Sequence, residues 1–180
     1  MVMLGIVSEN KENLKVEREN QGAECEAPSA ELACLYGKLV KDFKLCIDSK
    51  YRADQLASHL KIIRPGTSQQ EVMNAFFEAL FDRVQRGLAK EISRKKLYLM
   101  KVTTDEYYQA LLLGAIEAHY TSKPHEVRKE VAVSLKMLYD LDILEEDVIV
   151  AWYQKGSHNE VKKFAKPFVD WVQNAESEEE

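Results

Sequence analysis

From Leu32 onward apolar residues return every three or four positions, the spacing that lays a stripe along one face of a helix. Leu35, Leu39, Phe43 and Cys46 form a first stripe, and Leu56, Leu60 and Ile63 a second after Tyr51. Arg64-Pro65-Gly66 interrupts the pattern. Thr67 with Gln70, or Ser68 with Glu71, then offers a capping box in which side chains satisfy the free amides of a helix start. The helix that follows carries Val72, Phe76, Ala79 and Leu80 on one side and Phe77, Phe81 and Val84 on the other, so it is expected between neighbours.

After Gly87, one helix is predicted over residues 88–102, with Leu88, Ile92, Leu99 and Val102 facing in and Lys90, Arg94 and Lys101 facing out. Thr103 with Glu106 is a further capping-box candidate, opening a central helix through Tyr107, Leu111 to Leu113, Ile116 and Tyr120. Pro124 suits the first turn of a helix whose Val127, Val131, Leu135 and Leu138 are buried. Glu145, Glu146 and Asp147 place negative charge where the positive end of a helix dipole would lie, so residues 148–153 are read as helix despite their Val-Ile-Val run. The last helix presents Val161, Phe164, Ala165, Phe168, Trp171 and Val172 on one face and Lys162, Lys163, Lys166 and Asp170 on the other, with a kink or restart expected at Pro167. The sum is an all-α fold, a HEAT-like stack of about eight antiparallel helices.

Residues 8–31 are rich in Glu, Asn and Lys and almost lack large apolar side chains, so residues 1–31 are expected to form a disordered arm. The helical domain is expected over 32–175, and 176–180 as an acidic tail. Seven glycines and four prolines in 180 residues, with 46% apolar content, agree with long helices around a real core. Three cysteines without a CxxC pair suggest neither a disulfide framework nor a zinc site, and no stretch approaches the roughly 18 apolar residues of a membrane span. A cytoplasmic protein with no cofactor is expected.

Enzymatic signatures do not assemble. Gly37-Lys38 lacks the preceding glycine and following hydroxyl of a phosphate loop, and His59, His119, His125 and His158 have no metal-binding spacing. The acids at 145–147 read as a helix start rather than an acid–base pair. What remains is charge segregation. Arg83, Arg86, Lys90, Arg94, Lys95, Lys96 and Lys101 have only Asp82 and Glu91 nearby, while Asp140, Asp142, Glu145, Glu146, Asp147, Glu160, Asp170, Glu176, Glu178, Glu179 and Glu180 outnumber the C-terminal lysines. Such poles either keep the protein soluble or steer partners of opposite sign, and the residues alone leave both readings open. Trp152 and Trp171 are read first as core.

Two clusters carry a resemblance: YDLDILEEDVIVAWY at 139–153 and KPFVDWVQNAESEEE at 166–180. They resemble the acidic-aromatic boxes of the W2 domain. This is the HEAT-type, MIF4G-like superhelical domain ending eukaryotic translation initiation factor 5, the epsilon subunit of factor 2B and factor-5-mimic proteins. FFEALFDRVQRGLAKEISRKK at 76–96 is similar to the plant forms of factor 5.

The resemblance implies a module that binds the lysine-rich N-terminal tail of the beta subunit of initiation factor 2 and contacts initiation factors 1 and 3. The first box would use Tyr139, Asp140, Asp142, Glu145, Glu146, Asp147, Trp152 and Tyr153, and the second Phe168, Asp170, Trp171, Glu176, Glu178, Glu179 and Glu180. Arg83, Arg86, Lys90, Arg94, Lys95 and Lys96 would be a second contact surface. Factor 5's zinc ribbon and GTPase-stimulating arginine have no counterpart in these residues, so no GTPase activation is expected of the chain. A W2-only mimic competing with factor 5 for factor 2 is the alternative, and direct RNA binding is not favoured.

Overall fold

The structure is a computed structural model that describes residues 28–156 and 158–175, all helix and connecting turn. Helix α1 (Pro28–Asp48) turns back at residues 49–52 into α2 (Ala53–Leu60), with Asp42 opposite His59, so the two run antiparallel. Helix α1 begins four residues before the predicted boundary, at Pro28; the rest of the predicted arm lies outside the described residues. Ile63 does not continue the buried stripe of α2 and is 88% exposed. The Arg64 guanidinium donates to the carbonyls of His59 and Ile62, both at 2.9 Å, and bends the chain away after Leu60. Leu35 also lies outside the core, exposed on α1.

Helix α3 (Gln69–Phe81) starts on the Ser68–Glu71 box: the Glu71 amide donates to the Ser68 hydroxyl, and the Ser68 amide donates to the Glu71 carboxylate at 2.7 Å. These bonds hold the Glu71 carboxyl below its usual range. Both apolar sides of α3 are buried, against α1 and against α6 (Glu106–Thr121). Gln70 and Gly114 fix the α3–α6 distance. Gln70 Nε2 donates to the Leu111 carbonyl at 2.9 Å, and a Cβ on Gly114 would stand 2.5 Å from Gln70 Oε1. Helix α6 is capped by Asp105, whose carboxylate accepts from the Tyr108 amide; Thr103 instead turns its hydroxyl to the Leu99 carbonyl.

The predicted helix over 88–102 is two helices, α4 (Leu88–Arg94) and α5 (Lys96–Val102). Lys95 leaves helical geometry at φ −105°, ψ 15°, and its ammonium folds back onto the Leu80 carbonyl over the Phe81 ring. The helix after Pro124 is likewise divided into a single turn, α7 (His125–Arg128), and α8 (Val131–Asp140). Arg128 folds back to accept-side groups on the end of α6, donating to the Lys123 and Thr121 carbonyls. Two of the eight predicted helices are therefore divided, giving ten helical segments among the described residues.

Helix α9 (Glu146–Gln154) is helical as the acid run predicts. Helix α10 (Glu160–Ala175) packs on α8 and α9 and runs through Pro167 without interruption. Pro167 and Lys163, whose carbonyl would have received the missing amide, are both exposed, so water can satisfy that carbonyl. Gln70 meets Leu111 and Phe77 meets His119; Gln109 meets Glu145 and Glu117 meets Trp152. Helices α3, α6 and α9 thus run parallel as the inner layer, while chain neighbours such as α1 and α2 run antiparallel. This is a HEAT-like stack.

Candidate functional site

The first acidic cluster is the corner between α8 and α9. Asp142 adopts the left-handed region at φ 54°, which Asp tolerates better than most residues. The amides of Ile143 and Leu144 then both point to the Leu138 carbonyl, and their side chains are buried. Burying these two turns the flanking acids outward: Asp140, Asp142, Glu145 and Asp147 are exposed and Glu146 is half-buried. Their availability differs. Lys136 holds Asp140 at 2.7 Å from the preceding turn of α8, and Glu145 is clamped to Gln109, whose carbonyl oxygen accepts the Glu145 amide at 2.9 Å while its Nε2 donates to the carboxylate at 3.1 Å.

Beside this corner lies an aromatic cluster shared by α8 and α10. Tyr139 stands edge-on to Phe168 and Trp171, with centroids 6.2 and 6.1 Å away, and Phe168 stacks on Trp171 at 6.1 Å. Phe168 is buried and Tyr139 half-buried, whereas Trp171 is 46% exposed rather than core. The Lys136 ammonium lies 5.1 Å from the Trp171 ring centroid while bonding Asp140. Asp170 accepts from Lys166 at 2.5 Å, which raises the Lys166 pKa.

Trp152 and Tyr153 stand apart from that platform. Trp152 is buried, its indole N–H donates to Glu117 at 2.7 Å, and Glu117 also accepts from Asn159. Lys162, expected on the polar face, is 3% exposed: its ammonium bonds the Lys155 carbonyl and covers the Trp152 ring. Tyr153 packs on His158. Of the second box, Glu176, Glu178, Glu179 and Glu180 lie outside the described residues.

The basic stretch does not form one free surface. Arg83, Arg86, Lys90 and Lys96 are exposed, but Arg94 is paired with Glu91 at 2.5 Å and Lys95 is turned inward, where burial lowers its pKa. Arg83 and Arg86 line a cleft of about 570 Å³ together with Lys44, Asp48, Asp82 and Glu91, so cations and carboxylates alternate there.

Asp42, Cys46 and His59 bring possible metal-binding atoms within 4.8 Å of one another. Asp42 is already bonded to His59 at 2.7 Å, and the Arg64 guanidinium stands 3.3 Å from the same ring nitrogen, where it opposes a second cation. No helix among the described residues is long and apolar enough to cross a membrane.

Residues 108–180, which include the whole corner and platform, match the W2 family model described as eIF4-gamma/eIF5/eIF2-epsilon. The chain belongs to the W2 domain family. It is similar to eukaryotic translation initiation factor 5 of Phaseolus vulgaris, at 42% identity over 79% of this chain and 33% of that protein, and of Zea mays, at 44% over 81% and 33%. A probable factor 5-1 of Arabidopsis thaliana is 39% identical over 100% of this chain and 42% of its own length. This W2 chain thus spans between a third and just over two fifths of the length of these relatives. Its fold is similar to a solved C-terminal domain of translation initiation factor 5 at low pH, with TM-score 0.58 and 25% identity, covering 78% of this chain and 94% of that one.

Three residues that shape the surface escaped the sequence reading: Lys136, Gln109 and Glu117. Lys136 had a signal, since a lysine four residues before Asp140 is a helical ion-pair spacing. Gln109 and Glu117 act only through contacts distant in sequence and left none.

Proposed function

We propose that the chain is a cytoplasmic translation-initiation module that binds the lysine-rich tail of the beta subunit of initiation factor 2 and, with factors 1 and 3, helps assemble the preinitiation complex. The observation that carries this reading is the placement of Lys136. Its ammonium lies between a half-exposed indole and a carboxylate, so the platform already accommodates a lysine in its own chain. A partner lysine would meet the same pairing of cation–π attraction, about 0.5 to 1 kcal/mol at an exposed ring, and carboxylate charge. Asp142 and Asp147 add exposed acids on the neighbouring corner. Binding by many weak, screened contacts is fast and falls steeply with salt.

The decisive test is titration of the lysine-rich tail peptide against the chain and against an Asp142→Asn, Asp147→Asn, Trp171→Ala variant. These positions avoid Glu145, which is held by Gln109. Loss of affinity with unchanged thermal unfolding supports the reading; full affinity in a folded variant refutes it. The basic residues Arg83, Arg86, Lys90 and Lys96 would be a separate contact for acidic partners, tested by their reversal in a pull-down with factors 1 and 3.

A further inference from the structure

A cleft of about 440 Å³ opens between α1, α3 and α6, away from the α8–α10 platform. Its lining includes the buried rings of Phe77 and Phe81, packed 4.7 Å apart, and the imidazole of His119, 5.4 Å from Phe77. Glu78 on α3 and Asp82, the residue that caps the end of that helix, line it as well and are exposed. The Tyr36 hydroxyl donates to one Glu78 oxygen at 2.7 Å, and Glu78 has no ion-pair partner among the described residues. Asp82 is paired with Lys44 at 3.0 Å.

We propose that this cleft is a second binding site, one that takes the side-chain ammonium of a lysine in a basic partner segment. The aliphatic stem of such a side chain matches the apolar wall, and its head matches the carboxylates. An anion would meet two carboxylates there. His119 does not oppose a cation, because burial and then the nearby Lys123 lower its pKa to about 4 and leave the ring neutral at pH 7. Lys123 is the like charge in the lining, and it works against the ligand. The site rests on the reading of a lysine-rich partner, yet its chemistry is testable without that partner.

The experiment titrates Nα-acetyl-lysine methylamide, and its norleucine counterpart, into the whole chain while following the amide resonances of Phe77, Glu78 and His119. The lysine probe is expected to shift them saturably at millimolar concentration, and the norleucine probe is not. Glu78→Gln should weaken the lysine probe about five- to tenfold through loss of a charge-assisted contact, whereas Lys123→Ala should strengthen it about two- to threefold. A passive structural cleft gives no such opposite signs. Equal shifts with both probes, no shift, or indifference to both substitutions overturns the proposal. A decalysine peptide separates the two sites: if its binding is weakened by Glu78→Gln but indifferent to Asp142→Asn, Asp147→Asn and Trp171→Ala, the platform reading falls and the cleft stands. If the peptide binds through Asp142, Asp147 and Trp171 but the cleft is silent, only the cleft is refuted.

Discussion

The indole nitrogen of Trp152 donates to the Glu117 carboxylate at 2.7 Å, and the same carboxylate accepts from Asn159 at the start of α10. One acid on α6 therefore fixes the register of both helices that follow the acidic corner. Glu117→Leu leaves the Trp152 donor without its partner, which costs about 1 to 3 kcal/mol for a buried polar group. Urea unfolding of this variant should show that loss, while peptide affinity of the remaining folded fraction stays close to that of the parent.

Trp171→Ala should separate stability from binding in the opposite sense. Its ring is half-exposed, so unfolding should change by less than about 1 kcal/mol, while affinity for a lysine-rich peptide falls about two- to fivefold. Calorimetric titration alongside a thermal melt distinguishes the two effects.

Lys136→Ala removes the ammonium that already occupies the platform and frees Asp140. Affinity for the same peptide is expected to rise about twofold in low salt, since exposed ion pairs are weak, and the gain should vanish at high salt. A decrease would assign Lys136 a supporting role.

His119 predicts a pH effect with a defined sign. Its folded pKa, about 4, lies below the ordinary histidine value of 6.5, so between those values the unfolded chain binds more protons. The stability it contributes is complete above pH 6.5 and is lost as pH falls through about 4. The urea midpoint should decline over that window and His119→Phe should flatten the decline; an identical slope in the variant would contradict the assignment. Glu71, whose carboxyl is held below 4.5 by the capping bonds, adds its loss at the acidic end.

Gly114→Ala would drive a Cβ into the Gln70 amide, 2.5 Å away. The expected cost is about 1 to 3 kcal/mol, with a smaller increment in a Gln70→Ala background. A double-mutant cycle from chemical denaturation measures the coupling.

Much of this architecture could be read from periodicity. The acids at 145–147 correctly outweighed the strand preference of Val148, Ile149 and Val150, because charge at a helix start acts locally and is visible in sequence. Where tertiary contacts decided, the reading ran out. Lys95 breaks a helix to reach the Leu80 carbonyl, and Lys162 is buried over Trp152, although both occupy nominally polar positions. Trp171 sits about 60° around α10 from Phe168, at the edge of the apolar stripe, so period alone did not decide its exposure. The exposed acids of the corner were legible as a cluster, and the spacing of Lys136 to Asp140 was there to be read; that Gln109, 36 residues away, clamps Glu145 was not.

The parallel run of α3, α6 and α9 has an electrical consequence. Three helix dipoles side by side bring their positive ends to one edge of the layer, where they repel. That edge carries Glu71, Asp105 with Glu106, and Glu145 to Asp147. Part of the acidity at the corner therefore neutralises the fold's own positive edge, and the carboxylates left over are those that can attract a cation from outside. Asp142, at the turn ahead of α9, belongs to that remainder.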